Sequence, residues 1–263
     1  ELAGDKATVY SATTARQDPH VIQARPSLIS AARNADLVVC TGAELETGWL
    51  PILLRQSGNA KIQPGTPGYF EAADFVQKLE VPARLDRSAG DVHPGGNPHI
   101  QTDPRNIARV ATALASRLAE IDRENAAAYQ ARYADFSKRW AAAIDNWQKK
   151  ATPLRGVPVV VQHKAFPYLE QWLGLVQVAA LEPKPGVEPS SAYLSEVLTL
   201  LQKQPARMVL RAAYNDGRPS EWVAERAHIP VVVLPFTVGG DEQAKDLFSL
   251  FDDTVARLLE GLK

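Results

Sequence analysis

Glu124–Lys150, ENAAAYQARYADFSKRWAAAIDNWQKK, holds neither glycine nor proline and reads as the strongest helix in the chain. Tyr129, Tyr133, Phe136, Trp140 and Trp147 recur at steps of three, four and seven, so one face carries large apolar rings. Rings at that spacing read as packing anchors rather than as an aromatic binding box. An unbroken helix of this length reaches roughly 40 Å, enough to run from one lobe of a protein to another.

On both sides of this helix the chain reads as alternating strands and helices. Before it, KATVYS (6–11) is a short strand-like run, and ARPSLISAARNA opens a helix at Pro26 and Ser27. DLVVC (36–40) is a buried strand, and GAELETGWLPILLRQSG a helix around Leu45, Trp49, Leu50 and Leu53, interrupted near Pro51. Little is legible between Ala60 and Gly90 beyond turn signals at Pro64, Gly65, Pro67 and Gly68 and the apolar FVQKLEV. PRNIARVATALASRLAEI is a further amphipathic helix. After the long helix come a strand over Val157–Val161, a helix ending at Gly174, a helix capped near Ser190 or Ser191, and strands in ARMVLRAAY and IPVVVLPF flanking a helix in RPSEWVAERA. An amphipathic helix closes the chain. The expectation is an α/β protein with parallel sheets: an N-terminal lobe over 1–121, a linking helix over 122–150 and a C-terminal lobe over 151–263.

Composition narrows the function. The chain has 263 residues, 45% hydrophobic and 22% charged, with Lys+Arg 29 against Asp+Glu 30 and a net charge of −1. No global basic field points to nucleic acid or anionic lipid, and no apolar run is long enough for a bilayer. The single cysteine, Cys40, forms no internal disulfide, and its apolar neighbours mark it as a buried small residue.

Chemistry concentrates in DVHPGGNPHIQTDPRN (91–106), where two of the five histidines stand among Pro94, Pro98, Pro104, Gly95 and Gly96. These residues forbid a continuous helix or central strand. Thr102 or Asp103 followed by Pro104 is a helix start, so His99 is presented just ahead of a rigid element. His20 follows the first strand-like run in QDPH, and His163 follows the strand at Val157. Ligands of open α/β layers collect at the carboxyl ends of strands, so the three imidazoles are candidates for a shared cleft. Three imidazole nitrogens and one oxygen at about 2.0–2.2 Å complete a tetrahedral Zn²⁺ site. Separate exposed or structurally satisfied histidines are the alternative that the spacing leaves open. Glu44 and Glu46 are acids of a first helical turn in this reading, and His228 is a surface or structural residue.

Three segments carry a resemblance to a known family. QDPHVIQARPSLISAARNADLVVCTGAELETGWL, GNPHIQTDPRN and QHKAFPYLEQWLGL resemble, in order and spacing, the ligand segments of the cluster A-I metal-binding proteins of ABC transporters, the ZnuA/TroA-like zinc and manganese receptors. The resemblance implies two α/β lobes joined by one long rigid helix, with a metal site in the cleft between them. It makes His20, His99 and His163 the metal ligands. Histidine at 163, where some manganese-preferring relatives carry glutamate, points to Zn²⁺ over Mn²⁺. Relatives often supply a fourth, acidic ligand after the last strand; Asp241 is the nearest carboxylate here, with a helix cap as its structural alternative, and His93 or water compete for the position. The long histidine-rich loop of several zinc members is reduced to VHPGGNPH.

The implied function is that of a monomeric periplasmic zinc-binding protein, not an enzyme, that delivers Zn²⁺ to a membrane permease of an ABC transporter. A manganese receptor or adhesin of the same family, and a zinc hydrolase with a three-histidine site, are the rivals. No H-E-x-x-H, G-x-S-x-G, Walker or G-x-G-x-x-G motif supports the hydrolase. The family's opening strand and helix are not found before Glu1, which is read as an incomplete N-terminus that hides any signal or lipid-attachment cysteine.

Overall fold

The computed structural model of the chain describes residues 1–82 and 93–263. Asp91 and Val92, which open the histidine-bearing loop, lie outside the described residues. The chain divides into two compact units: among described residues, the first holds 1–81, 93–100 and 104–144, and the second holds Pro82, 101–103 and 145–263.

In the first unit, α1 (Pro26–Arg33) begins with proline at a position where a missing N–H costs nothing. β1 (Val38–Cys40) and β2 (Tyr69–Glu71) pair in parallel, Val38 opposite Tyr69. α2 (Leu50–Ser57) and α1 close over this pair through a core of Leu28, Ala32, Cys40, Trp49, Leu50, Leu53 and Leu54. Burial pushes the Cys40 thiol up to about 12, as expected for an unreactive packing residue. α3 (Pro104–Ile121) follows.

Three expectations need correction here. Lys6–Ser11 is not a strand: no strand among the described residues pairs with it, and Val9 is 82% exposed, because β-branched residues make a strand only where a neighbouring edge accepts their hydrogen bonds. His20 therefore follows a loop. Pro51 does not interrupt a helix begun at Leu45; residues 43–49 form turns, and Pro51 sits in the first turn of α2. β2 lies in the stretch that its turn residues left unread.

The long helix is α4 (Ala126–Lys150), preceded by a 3-10 turn over Arg123–Asn125. It contributes to both units, and four of its five rings are anchors as expected: Tyr129, Phe136, Trp140 and Trp147 are each 2% exposed or less, whereas Tyr133 is half-buried, its hydroxyl 2.7 Å from that of Thr112. Two also make directional bonds, Trp140 Nε1 donating to the Pro104 carbonyl at 2.8 Å and Trp147 Nε1 to Asp252 at 2.9 Å.

The second unit carries β3 (Pro158–Val161), β4 (Val176–Ala180), β5 (Met208–Ala212) and β6 (Val231–Leu234), all parallel, in the order β4-β3-β5-β6. Val159, Val160, Val161, Met208, Val209 and Leu210 are fully buried, as strands covered on both faces require. The helices are α5 (Pro167–Leu173), α6 (Ser191–Lys203), α7 (Arg218–Ala227) and α8 (Leu247–Glu260). Ser190 caps α6 by accepting from the Tyr193 amide, and His228 ends α7 in a left-handed conformation, φ 54°. Asp246, not Asp241, caps α8, in a reciprocal box with Ser249. No helix among the described residues is long and apolar enough to cross a membrane.

Candidate metal centre

Two of the predicted ligands are built the same way. In Asp18-Pro19-His20, one carboxylate oxygen accepts both the backbone N–H of His20 at 2.9 Å and its ring Nδ1 at 2.7 Å. In Asn97-Pro98-His99, the amide oxygen accepts the backbone N–H of His99 at 3.0 Å and its Nδ1 at 2.9 Å. The intervening proline fixes φ, so a side chain two residues back closes a ring around the imidazole. An Nδ1 that donates leaves Nε2 as the lone-pair nitrogen, the state in which a metal-ligating imidazole is held by an outer partner.

A second set of contacts holds the His20 loop from behind. Trp49 Nε1 donates to the Pro19 carbonyl at 2.9 Å. Trp49 is fixed by the turn before it, where the Glu46 carboxylate accepts the amides of Thr41 at 2.7 Å and Gly42 at 3.1 Å. Glu46 is thus a turn-closing residue rather than a first-turn acid. Burial pushes its carboxyl up from the usual range, against the pull of those two amides. Ala43 and Glu44 both sit at positive φ in this turn, 48° and 67°.

The first unit also brings His93 to the pair. Its ring stacks on that of His20 with centroids 5.4 Å apart, while His20 and His99 lie 5.3 Å apart, tilted by 56°. His99 is buried, 1% exposed.

In the second unit His163 stands two residues past β3. β4 runs beside β3 in parallel, and the ladder continues beyond both strands: Leu181 N donates to Val161 O at 2.8 Å and Glu182 N to Gln162 O at 3.0 Å. That register sets Glu182 beside His163 at the carboxyl ends of adjacent strands, and its Oε2 meets His163 Nδ1 at 2.7 Å. The same oxygen accepts the Gly186 amide at 2.9 Å. His163 therefore has the outer-partner arrangement of the other two, reached through sheet pairing instead of a local turn.

Asp241 is differently placed. One oxygen accepts the amides of Gln243 and Ala244 at 2.8 and 2.9 Å, and the other pairs with Arg257 at 2.6 Å. Burial pushes its carboxyl up, but the Ala244 amide, Asp253, the Gln243 amide and Arg257 together hold it below the usual range. Asp18, Asn97 and Glu182 went unrecognised as orienting residues in the sequence. The repeated Asx-Pro-His tripeptide was a local signal for the first two; Glu182 has none, since its role comes from strand order.

Comparison with known proteins identifies the family. The chain matches, over residues 1–261, the family described as ZnuA, zinc-uptake complex component A, periplasmic. The chain belongs to this family. Its members are substrate-binding components of transporters rather than enzymes. A crystal structure of ZnuA superposes with a TM-score of 0.80 at 23% identity, covering 100% of this chain and 93% of that one. A zinc-bound ZnuA deletion mutant gives 0.77 at 26%, covering 97% and 89%. The Mn-bound periplasmic metal binding protein from candidatus Liberibacter asiaticus gives 0.79 at 18%, covering 100% and 94%. The manganese ABC transporter substrate-binding lipoprotein PsaA of Streptococcus pneumoniae is 23% identical over 99% of this chain and 84% of its own length. The family thus includes relatives named for zinc and for manganese.

Proposed function

We propose that this protein is an extracytoplasmic, periplasmic zinc receptor that binds Zn²⁺ through His20, His99 and His163 and delivers it to the permease of an ABC transporter. The observation that carries the reading is the repeated outer-partner pattern, in which each of the three rings gives Nδ1 to a fixed oxygen and so offers Nε2 to the metal. Three imidazole nitrogens suit Zn²⁺ better than Mn²⁺, which favours carboxylate oxygen. The carboxylates of Asp18 and Glu182, each hydrogen-bonded to a ligand ring, offset the charge of the ion. Asp241 keeps its structural partners in this reading, and the fourth position falls to water or to His93, stacked on His20. The receptor acts as a monomer and performs no chemistry on its cargo.

Isothermal titration of metal-stripped protein tests the proposal. One tight Zn²⁺ site is expected, with Mn²⁺ weaker, and a large loss in His99→Ala and in His163→Ala but not in His228→Ala. Unchanged Zn²⁺ binding in both ligand variants refutes the assignment, and tighter Mn²⁺ than Zn²⁺ binding refutes the selectivity.

A further inference from the structure

The turn around His99 differs from the one around His20 in its acceptor, which is an amide with two unlike ends. The oxygen end of Asn97 takes both His99 donors, and the nitrogen end donates to Glu80 Oε2 at 2.9 Å. The two segments run side by side, with the backbone N–H of Asn97 donating to the Leu79 carbonyl at 2.8 Å. This approach is close enough that a Cβ on Gly96, at φ +97°, would come within 2.8 Å of that carbonyl oxygen. Glu80 itself is held left-handed, φ 53°, a conformation that is unfavourable for a residue with a Cβ and that surrounding contacts must sustain.

We propose that Glu80, acting through the Asn97 amide, is a positioning residue that keeps His99 in the tautomer with its proton on Nδ1. A carboxylate accepts and never donates, so it draws the NH₂ end of Asn97 toward itself and turns the oxygen toward His99. The ring must then donate from Nδ1, which leaves the lone pair on Nε2. A reversed amide would set NH₂ against the backbone N–H of His99 and would favour a lone pair on Nδ1, placing the proton on Nε2 where it blocks coordination. Asp18 needs no such third residue, because both ends of a carboxylate accept. Asn97 and His99 are 7% and 1% exposed, so water does not readily replace the amide contact. The functional weight of this device rests on the metal-binding role proposed above, while the tautomer is a property of the protein alone.

The test uses the metal-free full chain with ¹⁵N-labelled histidine, above the ordinary imidazole range of about 6.5. Long-range ¹H–¹⁵N correlation distinguishes the two tautomers, and with five histidines the His99 signals are assignable by comparison with His99→Gln. Glu80→Gln keeps an acceptor oxygen and is expected to retain the Nδ1–H pattern, with Zn²⁺ affinity within about twofold of the parent. Glu80→Lys offers only donors; it is expected to shift His99 toward Nε2–H and to weaken Zn²⁺ binding roughly tenfold, as loss of an outer partner does. An unchanged His99 tautomer in Glu80→Lys overturns the proposal, even if affinity falls, since charge alone would then account for the loss. Failure of the parent protein to bind Zn²⁺ would remove the receptor function, and the tautomer measurement would still decide this proposal.

Discussion

Glu182→Leu removes the partner that orients His163 without touching a proposed ligand, and its effect can be sized from the geometry. The contact is charge-assisted at 2.7 Å, and the two side chains are only 10% and 16% exposed, so solvent screens it weakly. Hydrogen bonds to charged groups contribute about 1.5–3 kcal/mol, which at about 1.4 kcal/mol per decade corresponds to roughly 10- to 100-fold in an equilibrium constant. Loss of an outer partner of a metal-bound histidine falls in the same range. Zn²⁺ affinity, read by competition with a chelator of known strength, is therefore expected to drop toward the hundredfold end in Glu182→Leu. Glu182→Gln, which can still turn one oxygen to both Nδ1 and the Gly186 amide, should lose only the charge and fall nearer tenfold. Thermal melts of the metal-free variants separate a binding defect from a folding defect. If Glu182→Leu folds normally and binds Zn²⁺ within about twofold of the parent, the outer-partner reasoning is wrong for His163.

Trp49→Phe deletes the Nε1 bond to the Pro19 carbonyl and is expected to destabilise the metal-free protein by about 1–2 kcal/mol in denaturant unfolding, with a few-fold loss of Zn²⁺ affinity through the His20 loop. No change in either would mean that the loop is held elsewhere. Metal affinity should fall in acid, because coordination requires the unprotonated ring and protons then compete with the metal; a flat profile from pH 8 to about 5 argues against imidazole ligation. Asp246→Ala should cost about 1 kcal/mol by removing the α8 cap. Hydrogen bonds from Ser249 hold the Asp246 carboxyl below its ordinary 3.8, so its contribution is present above that value and is lost as pH falls through the lower folded-state value. The parent and variant melting temperatures should therefore converge only in strong acid, and a gap that persists there contradicts the cap.

The parts of this protein that were legible in its residues are those whose causes lie close along the chain. The absence of glycine and proline from 126–150 and the ring spacing of Tyr129, Phe136, Trp140 and Trp147 specify α4, and the apolar β-branched run at Val159–Val161 specifies a doubly covered strand. The Asp18-Pro19-His20 and Asn97-Pro98-His99 turns are equally local, each closed by a side chain two residues before the imidazole, although the orienting role of Asp18 and Asn97 emerged only with the structure. By contrast, the strand-like Lys6–Ser11 finds no edge to pair with among the described residues, because β structure needs a neighbour that periodicity cannot supply. Asp241 reads as a helix-cap acid until Arg257 is folded against it. Glu182 meets His163 because β4 lies beside β3 in one register, and Glu80 meets Asn97 because two segments run together behind His99. The candidate donor atoms are thus written in short stretches of chain, whereas two of the residues that orient them are chosen by tertiary packing, since a hydrogen bond acts over about 3 Å of space whatever the separation in sequence.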